Sequence, residues 1–232
     1  MDKDIKFAFK KSIPVMFGYL FLGSAIGIML QEKGYGVIWA LVAGLTVYAG
    51  SGEFLLVNLL STKATLIETF IMTFLINSRH IFYGLSFIEK FKSMGKYYPY
   101  MIFSLTDETY SVLSTTKYPK DIDENKAMFY ISLFHHVYWV LGGIIGSLLG
   151  KIIPIDMYGI DFTMTALFVV LFMEQWENSK SKIPIYIGFI SSIVFFIVLG
   201  KNFLLPSLIF TVGFLLIFKN KIENDMEMIL ND

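Results

Sequence analysis

Long apolar runs cover most of this 232-residue chain and limit what it can fold into. A membrane-spanning helix needs about 20 consecutive apolar residues. The sequence offers eight candidates, at 13–30, 37–60, 65–88, 98–116, 127–149, 157–173, 183–199 and 202–218. Hydrophobic residues make up 55% of the chain and charged residues only 16%, whereas a soluble domain carries roughly 25% charged residues. The sequence therefore predicts an all-α polytopic membrane protein with about seven or eight transmembrane helices.

The loops between these segments are short, so they leave no room for a soluble domain, and we expect residues 1–232 to form a single transmembrane domain. If all eight segments cross, 12 lysines lie on the side of the N-terminus and 6 on the other side. The positive-inside rule then predicts a cytoplasmic N-terminus. The loop from Lys90 to Lys96 fits poorly, because this arrangement places it outside. A re-entrant or broken segment upstream would move the loop inward and make the number of spans odd.

Two halves of the chain resemble each other weakly. Gly23 and Gly142 each begin a Gly-x-x-x-Gly motif, and a glutamate follows each motif near the end of the next apolar run, at Glu53 and Glu174. The spacing suggests repeats over about 5–116 and 127–218. Duplication is common among secondary transporters, whose sites lie between the repeats on broken helices. The glycine motifs are equally typical of plain helix packing.

Arg79 is the only arginine, and it lies in the middle of the third apolar segment. A charge near the bilayer centre costs at least about 2.5 to 3.5 kcal/mol, so it is tolerated where it faces a bundle interior, water or a counter-charge. Asn77 and His80 share one helical face, and Arg79 and Tyr83 lie on the adjacent face. The planar guanidinium holds carboxylates bidentately, which favours a substrate site. Alternatively, Arg79 pairs with a carboxylate of another helix and fixes their packing.

Glu53 follows two glycines in the second segment, in the run Gly50-Ser51-Gly52-Glu53. Glycines at these positions would permit the helix to unwind and expose its backbone to a ligand. The Glu53 carboxyl group would then bind an ammonium group or a proton. Alternatively, the segment ends near Tyr48 and Glu53 lies in headgroup water.

Asp107 and Glu108 lie in the fourth segment, which is the weakest of the eight. A polar stripe at helical spacing runs through it, formed by Ser104, Glu108, Ser111 and Thr115. This stripe would face Arg79 or a water-filled cavity. An amphipathic helix lying on the membrane surface is the alternative.

His135 and His136 are adjacent and so about 100° apart around a helix, which argues against a shared metal ion. His135 shares a face with Trp139 and Gly142, so a packed, hydrogen-bonded histidine or a proton relay is expected. The chain has no cysteine, which excludes disulfides and thiolate metal sites. No basic face is left for nucleic acid. We expect neither a cofactor nor a metal.

Five elements carry a resemblance: Pro14 with Gly18, Ala49-Gly50-x-x-Glu53-Phe54, Asn77-x-Arg79-His80-x-x-Tyr83-Gly84, Asp107-Glu108-x-Tyr110, and Asp161-Phe162-x-x-x-Ala166-Leu167-Phe168. Over about residues 5 to 200 they are similar to the AzlC family, the large subunits of branched-chain amino acid exporters. The resemblance implies export of branched-chain amino acids across the bacterial plasma membrane, together with a small AzlD-type membrane protein. Glu53 stands where the family often has Gln, so a titratable group replaces a neutral one.

The sequence and the resemblance together predict a secondary transporter, and not an enzyme, that moves an apolar amino acid by alternating access. No GxxxxGK[ST] loop is present, so an ion gradient would drive it. The predicted substrate-binding residues are Asn77, Arg79, His80, Tyr83, Gly50, Ser51 and Glu53. The predicted charge partners or proton-coupling groups are Glu53, Asp107 and Glu108.

Two other functions stay open at this point. An intramembrane enzyme would use His80, His135 or His136 as ligand or base, although no HExxH or GxSxG signature is present. A polar-lined channel would suit a water-filled path, but it does not explain a single buried cation.

Overall fold

A computed structural model describes residues 2–152, 182–200 and 203–218, and positions 162, 165–166, 169–170, 172–173 and 176–177, without the side chains at 79, 82, 204 and 205. All regular structure in these ranges is helical, as predicted. The helices are α1 (Lys3–Glu32), α2 (Val37–Thr46), α3 (Gly50–Thr62), α4 (Leu66–Asn77), α5 (Arg79–Lys92), α6 (Tyr98–Phe103), α7 (Asp107–Thr115), α8 (Glu124–Ile152), α9 (Ile183–Leu199) and α10 (Leu204–Ile217), with a 3₁₀ turn at Gly95–Tyr97. The predicted segment 157–173 lies largely outside the described residues. The same holds for Asp161, Leu167 and Phe168 within it and for Glu174 just after it.

The chain divides into two compact units, which we describe separately. Unit 1 contains residues 1–64 and 76–165, and unit 2 contains residues 65–75 and 166–232. Among the described helices, α1 and α8 are long and apolar enough to cross a bilayer by length and composition, and both belong to unit 1.

Helices α1 and α8 run parallel to each other and form the centre of unit 1. Near the start of both helices, Asp4 accepts a hydrogen bond from the backbone N–H of Asp123 at 3.0 Å. Near their other ends, the Ser147 hydroxyl donates to the Gln31 side chain at 3.2 Å. Contacts therefore progress in the same direction along both helices, with an offset of about 119 residues between partners. We call the end of unit 1 that contains Asp4 and Asp123 its N-terminal end.

The glycines of both Gly-x-x-x-Gly motifs lie in the α1–α8 contact. A Cβ atom on Gly23 would lie 2.8 Å from the carbonyl oxygen of Trp139, and one on Gly142 would lie 2.8 Å from that of Tyr19. A Cβ atom on Gly146 would overlap the backbone of Ser24. Small residues permit this close approach of two backbones. The helix-packing interpretation of these motifs is therefore confirmed.

Three predicted segments are broken, each at a position that belongs to unit 1. The second is interrupted between α2 and α3, where Tyr48 has a φ of 44°. The third is interrupted at Ser78, between α4 and α5, and the fourth at residues 104–106, between α6 and α7. The prediction of broken helices is confirmed. Gly50 and Gly52 themselves stay helical, in the first turn of α3.

The fourth segment forms a hairpin that does not cross unit 1. Before α6, the Tyr97 ring lies 4.6 Å from that of Phe129, and after α7, the Tyr118 ring lies 5.9 Å from that of Phe7. Both partner rings lie near the N-terminal ends of α8 and α1, so both arms start and finish at that end. Arms of six and nine residues are too short to span a bilayer. We call α6 and α7 with residues 104–106 the re-entrant hairpin.

The loop before this hairpin lies at the N-terminal end as well. The Lys90 ammonium group pairs with Glu124, the first residue of α8, at 2.9 Å. The arrangement in which all eight segments cross and the Lys90–Lys96 loop lies outside is therefore wrong, because a lysine-rich loop can reach Glu124 only from the N-terminal end.

Unit 2 contains α9 and α10, which pack against each other. The hydroxyl groups of Ser191 and Thr211 are in hydrogen-bond contact, and the rings of Phe195 and Phe210 lie 5.6 Å apart. Hydroxyl pairs of this kind hold transmembrane helices together. Large apolar side chains such as Ile197 and Val198 are exposed on the outer surface of α9, which suits contact with lipid or with another helix.

Candidate functional site

The three helix interruptions of unit 1 meet at the middle of the α1–α8 pair. Tyr48, at the first interruption, packs against His136 with tilted rings whose centroids are 4.2 Å apart. Thr106, at the tip of the re-entrant hairpin, lies 2.6 Å from the Tyr19 hydroxyl. Asn77, at the third interruption, lies against Gly52. Broken helices place backbone polar groups inside an apolar bundle, and such groups are tolerated where protein or a ligand covers them.

Glu53 lies in this centre and is only 2% exposed. The indole N–H of Trp139 donates to Glu53 Oε1 at 2.8 Å. The carboxyl group also lies in the first turn of α3, where the helix dipole favours a negative charge. Glu53 is therefore inside the protein, and its alternative placement in headgroup water is wrong.

Gly50 and Gly52 leave room where side chains pack closely against the start of α3. A Cβ atom on Gly50 would lie 3.3 Å from the Trp139 ring, and one on Gly52 would lie 3.2 Å from the Asn77 amide nitrogen. Ser51, between them, is buried. The two glycines thus allow the side chains of Trp139 and Asn77 to contact the backbone at the start of α3.

Asn77 and His80 are joined across the break between α4 and α5. The His80 Nδ1–H group donates to the Asn77 carbonyl oxygen at 3.0 Å, and His80 Nε2 lies 3.9 Å from Asp107 Oδ1. The Tyr83 ring is edge-on to His80 and stacks on Tyr110 at 4.7 Å. The predicted residues of α5 therefore face Asp107 and Tyr110 of α7, which lie beside the predicted polar stripe and not in it. The Arg79 side chain lies outside the described part of the structure.

A chain of hydrogen bonds links α1, α7 and α8. The Tyr19 hydroxyl lies 2.8 Å from Glu108 Oε2 and 2.6 Å from the Thr106 hydroxyl. The Thr106 hydroxyl donates to that of Thr109 at 3.0 Å, and the Thr109 hydroxyl in turn lies 3.0 Å from Nδ1 of His135. Thr106 also caps α7 by accepting the Thr109 backbone N–H, as hydroxyl side chains do at helix N-termini. The chain turns at this point because Thr106 caps the first turn of α7 and so starts a new helix at the tip of the hairpin.

His136 satisfies the backbone at the first interruption. A carbonyl oxygen only accepts, so His136 Nε2 carries the hydrogen that bonds Gly44 at 3.0 Å. Its Nδ1 lies 3.1 Å from the Tyr100 hydroxyl. Both histidines are packed and hydrogen-bonded, as predicted, and they face different partners. Within the described ranges no three His, Asp, Glu or Cys side chains are grouped as a metal site would need.

An apolar cluster separates this centre from the N-terminal end of unit 1. It contains Ala8, Phe91, Met94, Met101, Leu105, Leu113, Met128 and Ile131, all buried. Residues of α1, α8 and the re-entrant hairpin contribute to it, together with Phe91 at the end of α5 and Met94 just after it. The polar centre is therefore closed toward the N-terminal end in this structure.

Sequence reasoning did not select Tyr19, Thr106, Thr109 or Trp139. Tyr19 lies one turn before Gly23, and Trp139 lies one turn after His135, on the glycine-lined faces of α1 and α8. Extending the two Gly-x-x-x-Gly faces back by one turn would have identified both residues. The threonines carry no such signal, because hydroxyl groups are common in membrane helices and usually bond their own backbone.

Comparison with known proteins gives consistent results. The sequence model described as AzlC protein matches residues 14–153. The branched-chain amino acid transport protein AzlC of Bacillus subtilis is 35% identical over 217 residues, covering 93% of this chain and 85% of that protein. An uncharacterized membrane protein of Haemophilus influenzae is 38% identical over 224 residues, covering 96% and 92%. Inner membrane protein YgaZ of Escherichia coli is 22% identical over 188 residues, covering 74% and 73%.

The Haemophilus influenzae and Escherichia coli relatives are named as membrane proteins, in agreement with the apolar helices, and the prediction of a polytopic membrane protein is confirmed. No solved structure matches the chain.

Proposed function

Because the chain belongs to the AzlC family, we propose that it is a secondary transporter that exports branched-chain or similar apolar amino acids by alternating access. The Bacillus subtilis relative is named for branched-chain amino acid transport. The observation that carries the proposal is the meeting of three broken helices at a buried polar centre. Secondary transporters bind their substrates at such centres, where helix ends and unwound backbone face the ligand.

The roles follow from matching the charges of a zwitterion. Arg79, at the start of α5 beside this centre, would hold the carboxylate as a fork. Glu53, or Asp107 and Glu108 across from His80, would hold the ammonium group or carry the coupling proton. Asn77, His80, Tyr83, Gly50 and Ser51 would complete the binding site. The apolar surroundings would accept the substrate's side chain.

The orientation and the transport cycle are part of the proposal. The loop of Lys90, Lys92 and Lys96 joins the N-terminal lysines at one end of unit 1. The positive-inside rule then favours a cytoplasmic N-terminus in a bacterial plasma membrane. With this orientation, the apolar cluster closes the site toward the cytoplasm. Export would require the cluster to open, bind substrate and close again.

A small AzlD-type membrane protein is the proposed partner. The family resemblance motivates it, and the exposed apolar surfaces of α9 and α10 offer area for helix packing. The partner should co-purify with this chain in mild detergent. Purification of a chain that transports fully without any partner would contradict this part of the proposal.

Substrate exchange in proteoliposomes tests the function. A carrier loaded with unlabelled leucine on one side takes up labelled leucine faster, because each return step carries substrate. A channel shows no such stimulation, and an intramembrane enzyme alters its substrate chemically.

A further inference from the structure

Five side chains form an unbroken chain of hydrogen bonds through the centre of unit 1, in the order Glu108, Tyr19, Thr106, Thr109 and His135. Successive polar atoms are 2.6 to 3.0 Å apart, which is the normal range for hydrogen bonds of hydroxyl groups. The three inner members are hydroxyl groups, which donate one hydrogen bond and accept others. Such a chain can therefore reverse the direction of every bond by rotating its hydroxyl groups.

Two complete arrangements of the hydrogens are available to this chain. In the first, Glu108 is ionised, every hydrogen points toward it, and the imidazole of His135 carries its hydrogen on Nδ1. This arrangement requires the Thr109 hydroxyl, which accepts from Thr106 in this structure, to turn and donate to Thr106. In the second, Glu108 is protonated, every hydrogen points toward His135, and the imidazole carries its hydrogen on Nε2. Each hydroxyl has one donor hydrogen in both arrangements, so no bond is lost when one replaces the other.

We propose that this chain conducts the coupling proton between Nε2 of His135 and the carboxyl group of Glu108, an inference that rests on the transport function proposed above. A proton that binds Nε2 displaces the Nδ1 hydrogen to Thr109. The hydrogens of Thr109, Thr106 and Tyr19 each move one step, and the last protonates Glu108. One proton enters at His135 and one is gained by Glu108, with all other groups unchanged in charge.

The ends of the chain support this role. His135 is 0% exposed, and among the described residues no group hydrogen-bonds its Nε2. Leaving a buried polar atom without a partner costs about 1 to 3 kcal/mol, which a purely structural histidine would avoid. Glu108 lies at the opposite end, next to the break that separates α6 from α7.

The chain also joins parts of the protein that would move relative to each other. Tyr19 and His135 belong to the tightly packed α1–α8 pair, whereas Thr106, Thr109 and Glu108 belong to the re-entrant hairpin. A displacement of the hairpin by about 1 Å would lengthen these bonds beyond hydrogen-bond distance. Proton transfer would therefore occur in one position of the hairpin and stop in another, as coupling to transport requires.

Other titratable groups surround the chain and must be distinguished from it. They are Glu53 of α3, His80 of α5, Asp107 of α7, Tyr48 and Tyr100 near the first interruption, and His136 of α8. Trp139 lies between Glu53 and the chain. Its ring packs edge-to-face with that of Tyr19 at a centroid distance of 5.1 Å, and its indole N–H donates to Glu53. The proposed path does not pass through any of these groups.

Hydroxyl-deleting variants test the path. Tyr19→Phe and Thr109→Val remove one link each and keep the side-chain shape, whereas Thr109→Ser keeps the link. Tyr138→Phe is the matched control, because its hydroxyl bonds Ser12 at 3.0 Å elsewhere in the same α1–α8 contact. The full chain, with any partner that co-purifies, is placed in proteoliposomes containing a trapped pH dye. Proton movement driven by a leucine gradient is compared with exchange of labelled leucine, which needs no net proton release.

We expect Tyr19→Phe and Thr109→Val to slow leucine-driven proton movement at least about a hundredfold, the usual size of a lost proton-transfer group, while leucine exchange continues. Thr109→Ser and Tyr138→Phe should retain both activities. The proposal is overturned if either deletion variant moves protons as fast as the parent. It is also overturned if a deletion variant loses leucine exchange together with proton movement. A parent that exchanges leucine without moving protons overturns the path and leaves the transport function standing. A parent that does not exchange leucine overturns both.

Discussion

Glu53 and Trp139 illustrate at the scale of single residues how this protein holds a carboxyl group inside an apolar bundle. The Glu53 carboxyl group is buried in the first turn of α3 and accepts the indole hydrogen at 2.8 Å. Hydrogen bonds to charged groups contribute more to stability than neutral ones. Trp139 in turn is seated on Gly50, which leaves room for its ring. Trp139, which sequence reasoning did not select, therefore holds the Glu53 carboxyl group in its orientation.

Replacing Trp139 by Phe should destabilise the protein by about 1.5 to 3 kcal/mol, the contribution of a hydrogen bond to a charged group. Phenylalanine lacks the indole N–H group and is also smaller than the buried indole ring, so a cavity beside Gly50 adds to this loss. Trp39→Phe is the control, because Trp39 is 59% exposed and should change stability by less than about 0.5 kcal/mol. Thermal unfolding in detergent measures both. Equal unfolding temperatures for the two variants would contradict the role given to Trp139.

Arg79→Lys should weaken amino acid binding by about 1.5 to 3 kcal/mol, because a point charge does not reproduce two parallel hydrogen bonds to a carboxylate. Equilibrium binding of labelled leucine to the purified protein measures this. The double variant Arg79→Gln with Asp107→Asn separates a substrate role from a structural one. If the double variant folds and binds leucine like the parent, Arg79 only fixes helix packing.

The spacing of polar residues predicted some of these contacts. The segment of Asp107 and Glu108 was expected to face Arg79 because charged groups inside apolar runs need one another, and the structure places Asp107 3.9 Å from His80, the neighbour of Arg79. Tyr19, Thr106 and Thr109 could not be predicted in the same way. Their partners lie far away in the sequence, and an uncharged hydroxyl inside a membrane helix imposes no strong requirement of its own.

The α1–α8 contact is the strongest determinant of the fold at the scale of helices. Gly146→Ala should destabilise the protein by about 1 to 3 kcal/mol, because the added Cβ atom would overlap the backbone of Ser24 and backbone cannot rotate away. Gly18→Ala is the control, since nothing lies within 4 Å of its added Cβ atom. There alanine should be neutral or stabilise α1 by up to about 1 kcal/mol. Thermal unfolding that shows the opposite order would contradict the packing described here.

Apolar periodicity predicted the membrane segments but not their direction. Residues 98–116 form one apolar run, yet the chain reverses at 104–106 because Thr106 caps α7 and starts a new helix axis. A hydropathy pattern does not distinguish a crossing helix from two short arms of the same total length. The prediction that this segment crosses was therefore wrong. The break before α3 lies at residues 47–49, next to the predicted unwinding at Gly50 and Gly52 and not at these glycines.

The hairpin makes a prediction about sidedness. The natural chain lacks cysteine, so single cysteines can be placed without further changes. Ser93→Cys should react with a membrane-impermeant maleimide from the same side as Lys120→Cys, and Lys33→Cys should react only from the opposite side. In intact cells we expect the first two to be protected, as a cytoplasmic N-terminus requires. If Ser93→Cys and Lys33→Cys react from the same side, the Lys90–Lys96 loop does not lie where this structure places it.

The parallel course of α1 and α8 bears on the organisation of the whole molecule. These helices would open the two proposed repeats, 5–116 and 127–218. Parallel first helices agree with two repeats related by an axis along the membrane normal. In inverted repeats, the first helices of the two repeats would run in opposite directions. Gly23 and Gly142, which begin the two related motifs, lie in the same contact. The proposed duplication thus concerns a pair of helices that pack directly on each other.

The central claim is that this chain carries an apolar amino acid through the buried centre of unit 1. The most direct measurement is uptake of labelled leucine into proteoliposomes that contain the protein, with and without a high concentration of unlabelled leucine inside. We predict that internal leucine accelerates uptake, that internal lysine does not, and that Arg79→Lys abolishes the stimulation while the protein remains folded. Uptake that is equal with and without internal leucine, or that Arg79→Lys leaves unchanged, would contradict the account.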